Sequence, residues 1–192
     1  MSISVGILAL QGGFEAHAKI LRALGAEPSE VRVPADLEGL DALILPGGES
    51  TTMSKLLDSS ELRAPLAERL ADGVPVLGTC AGLILLARDV VDGRPDQMSF
   101  GTVDVTVRRN AYGRQRDSFE TDLTIQGMAG GPFHGVFIRA PAIERCGPGV
   151  EILASHDDRP VLAREGSAFV ASFHPELSGD LRVHQLFLEQ VT

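Results

Sequence analysis

The 192-residue chain has two cysteines, Cys80 and Cys146, one tyrosine and no tryptophan. Two cysteines make at most one bridge, which excludes a disulfide-stapled secreted scaffold. Basic residues are outnumbered, 17 Lys and Arg against 26 Asp and Glu, for a formal net charge of −9. Nucleic acid and anionic membrane surfaces both require a basic face, and neither is expected as a partner. A protein partner with a basic patch stays open. No apolar run approaches the ~20 residues of a membrane span. Residues 1–5 lead straight into a strand-like run without a basic segment or cleavage site. The expectation is a cytoplasmic chain with reduced thiols. What is present is ordinary globular composition, 44% hydrophobic and 22% charged. The length suits a single domain, 1–192, with a core of its own.

The first half reads as strands alternating with helices. Apolar runs at 3–10, 41–45 and 74–78 predict buried parallel strands, with a weaker one near Val31–Val33. Helical spacing predicts helices at 14–24, 50–57 and 61–72 and another starting near Ala81. The second half changes character. Residues 101–108 alternate cleanly, and short runs follow at 121–125, 135–138, 150–154, 160–164 and 167–173, before an amphipathic helix at 180–191. The fold class is α/β, with a mostly parallel central sheet between helical layers and an antiparallel extension.

One stretch carries chemistry. Gly78-Thr79-Cys80-Ala81-Gly82 lies between an apolar strand and an apolar helix, the setting of a nucleophile elbow with Cys in place of Ser. The glycines allow a sharp turn and close neighbours, and the helix N-terminus behind Cys80 favours its thiolate. A buried packing cysteine is the bland alternative for Cys80; Cys146, between Arg145 and Gly147, lacks the elbow setting and reads as a packing or surface cysteine. Acyl transfer by a thiol needs a base, and the base needs a group to orient it. Of the five histidines only His174 ends a strand-like run beside a carboxylate. Pro175 favours extended geometry at His174, which puts Glu176 on the same side as the ring. His17 and His184 fall within helical patterns and read as surface or interface residues; His134 and His156 fall in turns.

Pro46-Gly47-Gly48-Glu49-Ser50-Thr51 follows the third strand and opens a helix, with Ser50 or Thr51 expected as the cap. Its glycines expose N–H groups suited to an oxyanion. It lacks the Lys-Ser/Thr of a phosphate loop. Arg109 and Arg139 each end a strand-like run, and either could fork onto a carboxylate or simply be solvated. No metal-ligand spacing and no cofactor motif is present.

Together these blocks resemble a known family. G-T-C-A-G with a distant H-P-E and an early P-G-G is similar to the class I, triad-type glutamine amidotransferases, whose fold is flavodoxin-like. A-L-Q-G-G-F-E-A-H at 9–17, L-P-G-G-E-S-T-T-M at 45–53, G-T-C-A-G-L-I-L-L-A at 78–87, R-N-A-Y-G-R-Q-R-D-S-F-E at 109–120, G-V-F-I-R-A-P at 135–141 and S-F-H-P-E-L at 172–177 resemble the branch that serves pyridoxal 5′-phosphate synthase. The resemblance implies Cys80 as nucleophile, His174 as acid and base, and Glu176 as its orienter. It implies that Gly48, Glu49, Ser50, Arg109, Ile138 and Arg139 hold L-glutamine, that Gly48 and Ala81 donate to the oxyanion, and that no cofactor is used. It also implies a partner, the pyridoxal 5′-phosphate synthase (lyase) subunit, docking near Gln11, Gly12 and His17. Three rival readings remain: a glutaminase subunit of another pathway such as histidine biosynthesis, a non-catalytic module on the same scaffold, and a cysteine peptidase or stress-type hydrolase on a related fold. The blocks around Gln11 and 109–120 oppose the first, the intact triad the second, and the paired P-G-G-E-S and H-P-E the third.

Overall fold

The computed structural model describes residues 2–93, 97–109 and 118–191. Most of the 109–120 block therefore lies outside the described residues. β1 (Ser4–Leu8), β3 (Ala42–Leu45), β4 (Val76–Thr79) and β12 (Ala168–Ala171) are nearly continuous apolar runs and form the parallel centre of a seven-stranded sheet. The strand order is β10-β11-β12-β4-β3-β1-β2. At one edge β10 (Glu151–His156) and β11 (Arg159–Glu165) add the antiparallel extension.

β2 forms the other edge and spans Glu27–Val31, earlier than the Val31–Val33 expected. Its sequence, EPSEV, has a proline and exposed polar side chains, which an edge strand tolerates and a hydropathy reading misses. Two further small sheets were only partly legible. β5 (Ala87–Val91), β6 (Val103–Arg108) and β9 (Ala142–Cys146) make one, and β7 (Ser118–Leu123) with β8 (Phe133–Ile138) make the other. β5 and β9 had no separate signal.

Side chains alternate across the pleat and divide the core in two. Leu43, Leu45, Val76 and Val170 face a cluster built with Met53, Leu57, Leu66 and Leu83 from α2 (Ser50–Ser59), α3 (Arg63–Ala71) and α4 (Ala81–Leu86), and with Val103, Val105 and Ile143 from the β5-β6-β9 sheet. Val5, Ile44, Leu77 and Phe169 face the opposite cluster, with Leu21 of α1 (Phe14–Ala23), Phe187 of α5 (Arg182–Leu188) and Phe133 and Phe137 of β8. Three layers result. The chain crosses from one face to the other between β8 and β9, over the carboxyl ends of the central strands. No helix among the described residues is long and apolar enough to span a membrane.

Candidate active site

Four neighbouring strands, β12, β4, β3 and β1, end at the same side of the sheet, and each delivers one segment of the site. This is where open α/β sheets place ligands. β4 runs into Cys80, which takes φ 51° and ψ −102° at the cap of α4. The sharp turn therefore falls on the cysteine itself. The flanking glycines serve packing instead: a Cβ on Gly78 would meet the Gly82 carbonyl at 2.7 Å, and one on Gly82 would meet the Leu45 carbonyl at 1.9 Å. The Cys80 N–H is tied to the Ala171 carbonyl of β12 at 2.8 Å, which locks the elbow to the strand that leads to His174.

β12 continues through Phe173 to His174, whose N–H bonds the Val136 carbonyl at 2.8 Å. Its Nδ1 lies 2.7 Å from Glu176 Oε1, on the short 3-10 turn Pro175–Leu177. The extended reading of His174-Pro175-Glu176 thus gives way to a tight turn that still brings the carboxylate to the ring. His174 and Cys80 line the same cavity, and the Cys80 thiol lies 3.9 Å from the Ile138 carbonyl. Burial opposes a charge on the ring, but the influence of Cys80 and Glu176 outweighs it and raises the pKa to about 10. Burial likewise opposes charge on Glu176, and contacts with His174 and His17 overcome it, holding the carboxyl below its usual range.

β3 supplies the Pro46–Ser50 loop. Gly47 stands against the reactive pair: a Cβ there would sit 2.4 Å from His174 Cε1 and 3.4 Å from Cys80 Cβ. The cap of α2 is Glu49, not Ser50 or Thr51. Its carboxylate accepts from the Thr51 and Thr52 N–H groups at 3.1 and 2.7 Å, and the Ser50 hydroxyl turns away to Gln97 at 2.9 Å. Desolvation is the largest single influence on Glu49 and opposes its charge, but these donors and the Thr52 hydroxyl together outweigh it and take its pKa down to about 2.

These segments enclose a cavity of about 310 Å³. Its lining contains Cys80, His174, Gly48, Glu49, Ser50, Ala81, Arg109, Ile138 and Arg139, every glutamine-pocket residue expected from the sequence. Ile84 and Pro141 join them, and sequence reasoning missed both. Ile84 lies one helical turn beyond Cys80, a spacing that could have flagged it. Arg109 is mostly buried and reaches Glu49 Oε1 at 3.3 Å. Arg139 is exposed, sits at φ 43° on the crossing between β8 and β9, and has no acid partner among the described residues. No group of three or more His, Cys, Asp or Glu poised for a metal occurs among the described residues.

β1 leads to Gln11 and Gly12. Gln11 Oε1 accepts from the Glu49 N–H at 2.9 Å, and Gly12 is exposed with its Cα against the Gly47 carbonyl. His17 and His184 were expected at the surface, with His17 at a docking face. Both rings are fully buried. The apolar side of α1 and that of α5 press on the same core, and each histidine falls on that side. His134 belongs to β8, not a turn, and is an exposed partner of Glu120 and Asp122. Cys146 is half-buried and its thiol pKa is raised by that burial.

The sequence profile of the SNO glutamine amidotransferase family matches residues 7–192. Curated relatives include a pyridoxal 5′-phosphate synthase subunit PdxT of Parafrankia sp. (strain EAN1pec), 56% identical over 97% of this chain and 92% of its own length. The subunit of that name from Mycobacteroides abscessus is 56% identical over 100% of this chain and 98% of its own. A crystal structure of a glutamine amidotransferase is 50% identical with a TM-score of 0.91, covering 97% of this chain and 98% of that one. The structure of PurLQS from Thermotoga maritima, at 16% identity and a TM-score of 0.72 over 100% of both chains, shares the fold.

Proposed function

The chain belongs to the SNO glutamine amidotransferase family, and on that premise we propose that it is the glutaminase subunit of a pyridoxal 5′-phosphate synthase, with Cys80, His174 and Glu176 as its triad. The observation that carries this reading is that Cys80 and His174 line one cavity sized for an amino acid, with Glu176 held 2.7 Å behind the His174 ring.

The Cys80 thiolate attacks the side-chain amide carbon of L-glutamine, and the carbonyl oxygen takes the negative charge. The Gly48 and Ala81 N–H groups stabilise that oxyanion, Ala81 from the open first turn of α4. His174, protonated through neutral pH, gives its proton to the departing nitrogen, and ammonia leaves a γ-glutamyl thioester on Cys80. The now neutral His174 takes a proton from water, whose oxygen attacks the thioester. L-glutamate departs and Cys80 is restored. Glu176 holds the ring and balances its charge throughout. Arg139 and Arg109 fork onto the substrate α-carboxylate, Glu49 offers its charge to the α-ammonium, and Ser50 and Ile138 shape the walls.

Free ammonia would be protonated and diluted in water, so a second chain is the expected recipient. The partner is the synthase (lyase) subunit, docked beside the Gln11-Gly12 loop. A cytoplasmic location fits two free thiols, one of which must stay reduced to react. The test is ammonia release from glutamine, with and without the cognate synthase subunit. Release that appears or rises strongly on mixing supports both chemistry and partner. Absence in both conditions, or its persistence in Cys80→Ala, overturns the reading.

A further inference from the structure

The described triad leaves one carboxylate oxygen unexplained. Glu176 Oε1 takes the His174 Nδ1 contact, while Oε2 is buried and meets no full hydrogen bond among the described residues. His17 Nε2 lies 3.4 Å from it. That nitrogen lies equally 3.4 Å from the hydroxyl of Thr79, the residue before the nucleophile. Behind it, His17 Nδ1 stands 2.8 Å from His184 Nε2, with the rings tilted at 53°. His184 Nδ1 is buried and has no partner among the described residues.

Those facts select one arrangement of protons. Two neutral imidazoles carry two N–H groups between four ring nitrogens. If His17 Nδ1 donated to His184, then His184 Nδ1–H would be an orphaned buried donor and His17 Nε2 would aim a lone pair at a carboxylate. The opposite arrangement leaves no donor stranded. His184 Nε2–H donates to His17 Nδ1, and His17 Nε2–H points at Glu176 Oε2 and Thr79, with only the His184 Nδ1 lone pair unmet. Burial keeps both rings neutral, with the charge of His174 adding to that effect on His17 and the Glu176 carboxylate opposing it.

We infer that His17, backed by His184, is a positioning residue that extends the Cys80–His174–Glu176 chain inward and fixes the Glu176 carboxylate by its second oxygen. A glutamate carboxylate turns easily about its last bond. A donor on each oxygen stops that rotation and keeps Oε1 on His174. A neutral donor does so without cancelling the charge that holds the imidazolium, as a Lys or Arg there would.

The inference rests on the triad reading, and two amide substitutions separate them. His17→Gln places an N–H where Nε2 lies; His17→Asn keeps a polar group near His184 and withdraws it from Glu176. Both preserve buried polarity, and thermal melting checks that both fold. In the complex with the cognate synthase, His17→Asn is expected to lower kcat about tenfold, as the second oxygen of Glu176 loses its facing donor, with KM changed less than twofold. His17→Gln is expected to stay within about threefold of wild type on the same grounds. Equal activity of the two variants, whether high or low, or a change in KM alone, overturns the role of His17. Wild-type protein that releases no ammonia overturns the triad reading itself.

Discussion

At the scale of the residue, the site is concentrated in two unusual conditions. Cys80 holds a backbone conformation that non-glycine residues rarely adopt, at φ 51° and ψ −102°. Such strain costs about 1–3 kcal/mol and persists only where the surroundings impose it. Cys80→Gly and Cys80→Ala both remove the thiol, yet only glycine relieves the backbone. Cys80→Gly is therefore expected to exceed Cys80→Ala in stability by about 1 kcal/mol in urea unfolding; equal midpoints would show that the elbow stores no strain. The second condition is the charge on His174. Its folded pKa of about 10 lies above the ordinary value near 6.5. The sign follows: the stabilisation from this ring is complete below about pH 6.5 and is lost as pH rises through about 10. In an NMR titration the ring is expected to titrate near 10, and Glu176→Gln or Cys80→Ala each to move that midpoint down. A midpoint that neither variant moves would remove both groups as the source of the shift.

At the scale of the element, the sequence was most legible where burial on both faces forces apolar runs, as in β1, β3, β4 and β12, and where glycine marks a close approach. The G-x-C-x-G pattern identified the elbow, and the strand-end position identified His174, because both signals are local. Glu49 as the cap of α2 was hidden because Ser and Thr are the commoner caps. β2, β5 and β9 were hidden because exposed edges and short strands carry no strong period. The buried positions of His17 and His184 were hidden for another reason: amphipathic spacing locates a helix face but does not say which polar residue on it turns inward. Gly82 shows how firmly one element can depend on another. With the Leu45 carbonyl 1.9 Å from any Cβ there, Gly82→Ala must part α4 from β3. The expected cost is about 3 kcal/mol in urea unfolding, with ammonia release falling as the proposed oxyanion donors Gly48 and Ala81 separate. A variant with wild-type stability would mean that α4 slides freely on the sheet.

At the scale of the whole molecule, the two cores are joined through a single sheet. Leu43 and Ile44 lie side by side in β3, yet one faces each cluster, and the same holds for Val76 and Leu77 in β4. The centre of the sheet also joins the two halves of the chain, since β12 pairs with β4 in the register Val76↔Ala168 to Thr79↔Ala171. An apparent boundary between an α/β first half and a β-rich second half is therefore no structural boundary, and we propose that residues 1–192 unfold as one cooperative unit. In a Cys146→Ser background Cys80 is the sole thiol, so its reactivity reports the site while far-UV circular dichroism reports the fold. The two probes are expected to share one urea midpoint. Leu77→Ala, which empties a fully buried position in one core beside the strand that leads to His174, is expected to lower stability by about 2–5 kcal/mol and to shift both probes together. A thiol that becomes reactive well before the circular dichroism signal falls would divide the molecule instead, with the β12–His174 segment able to detach from an otherwise folded sheet.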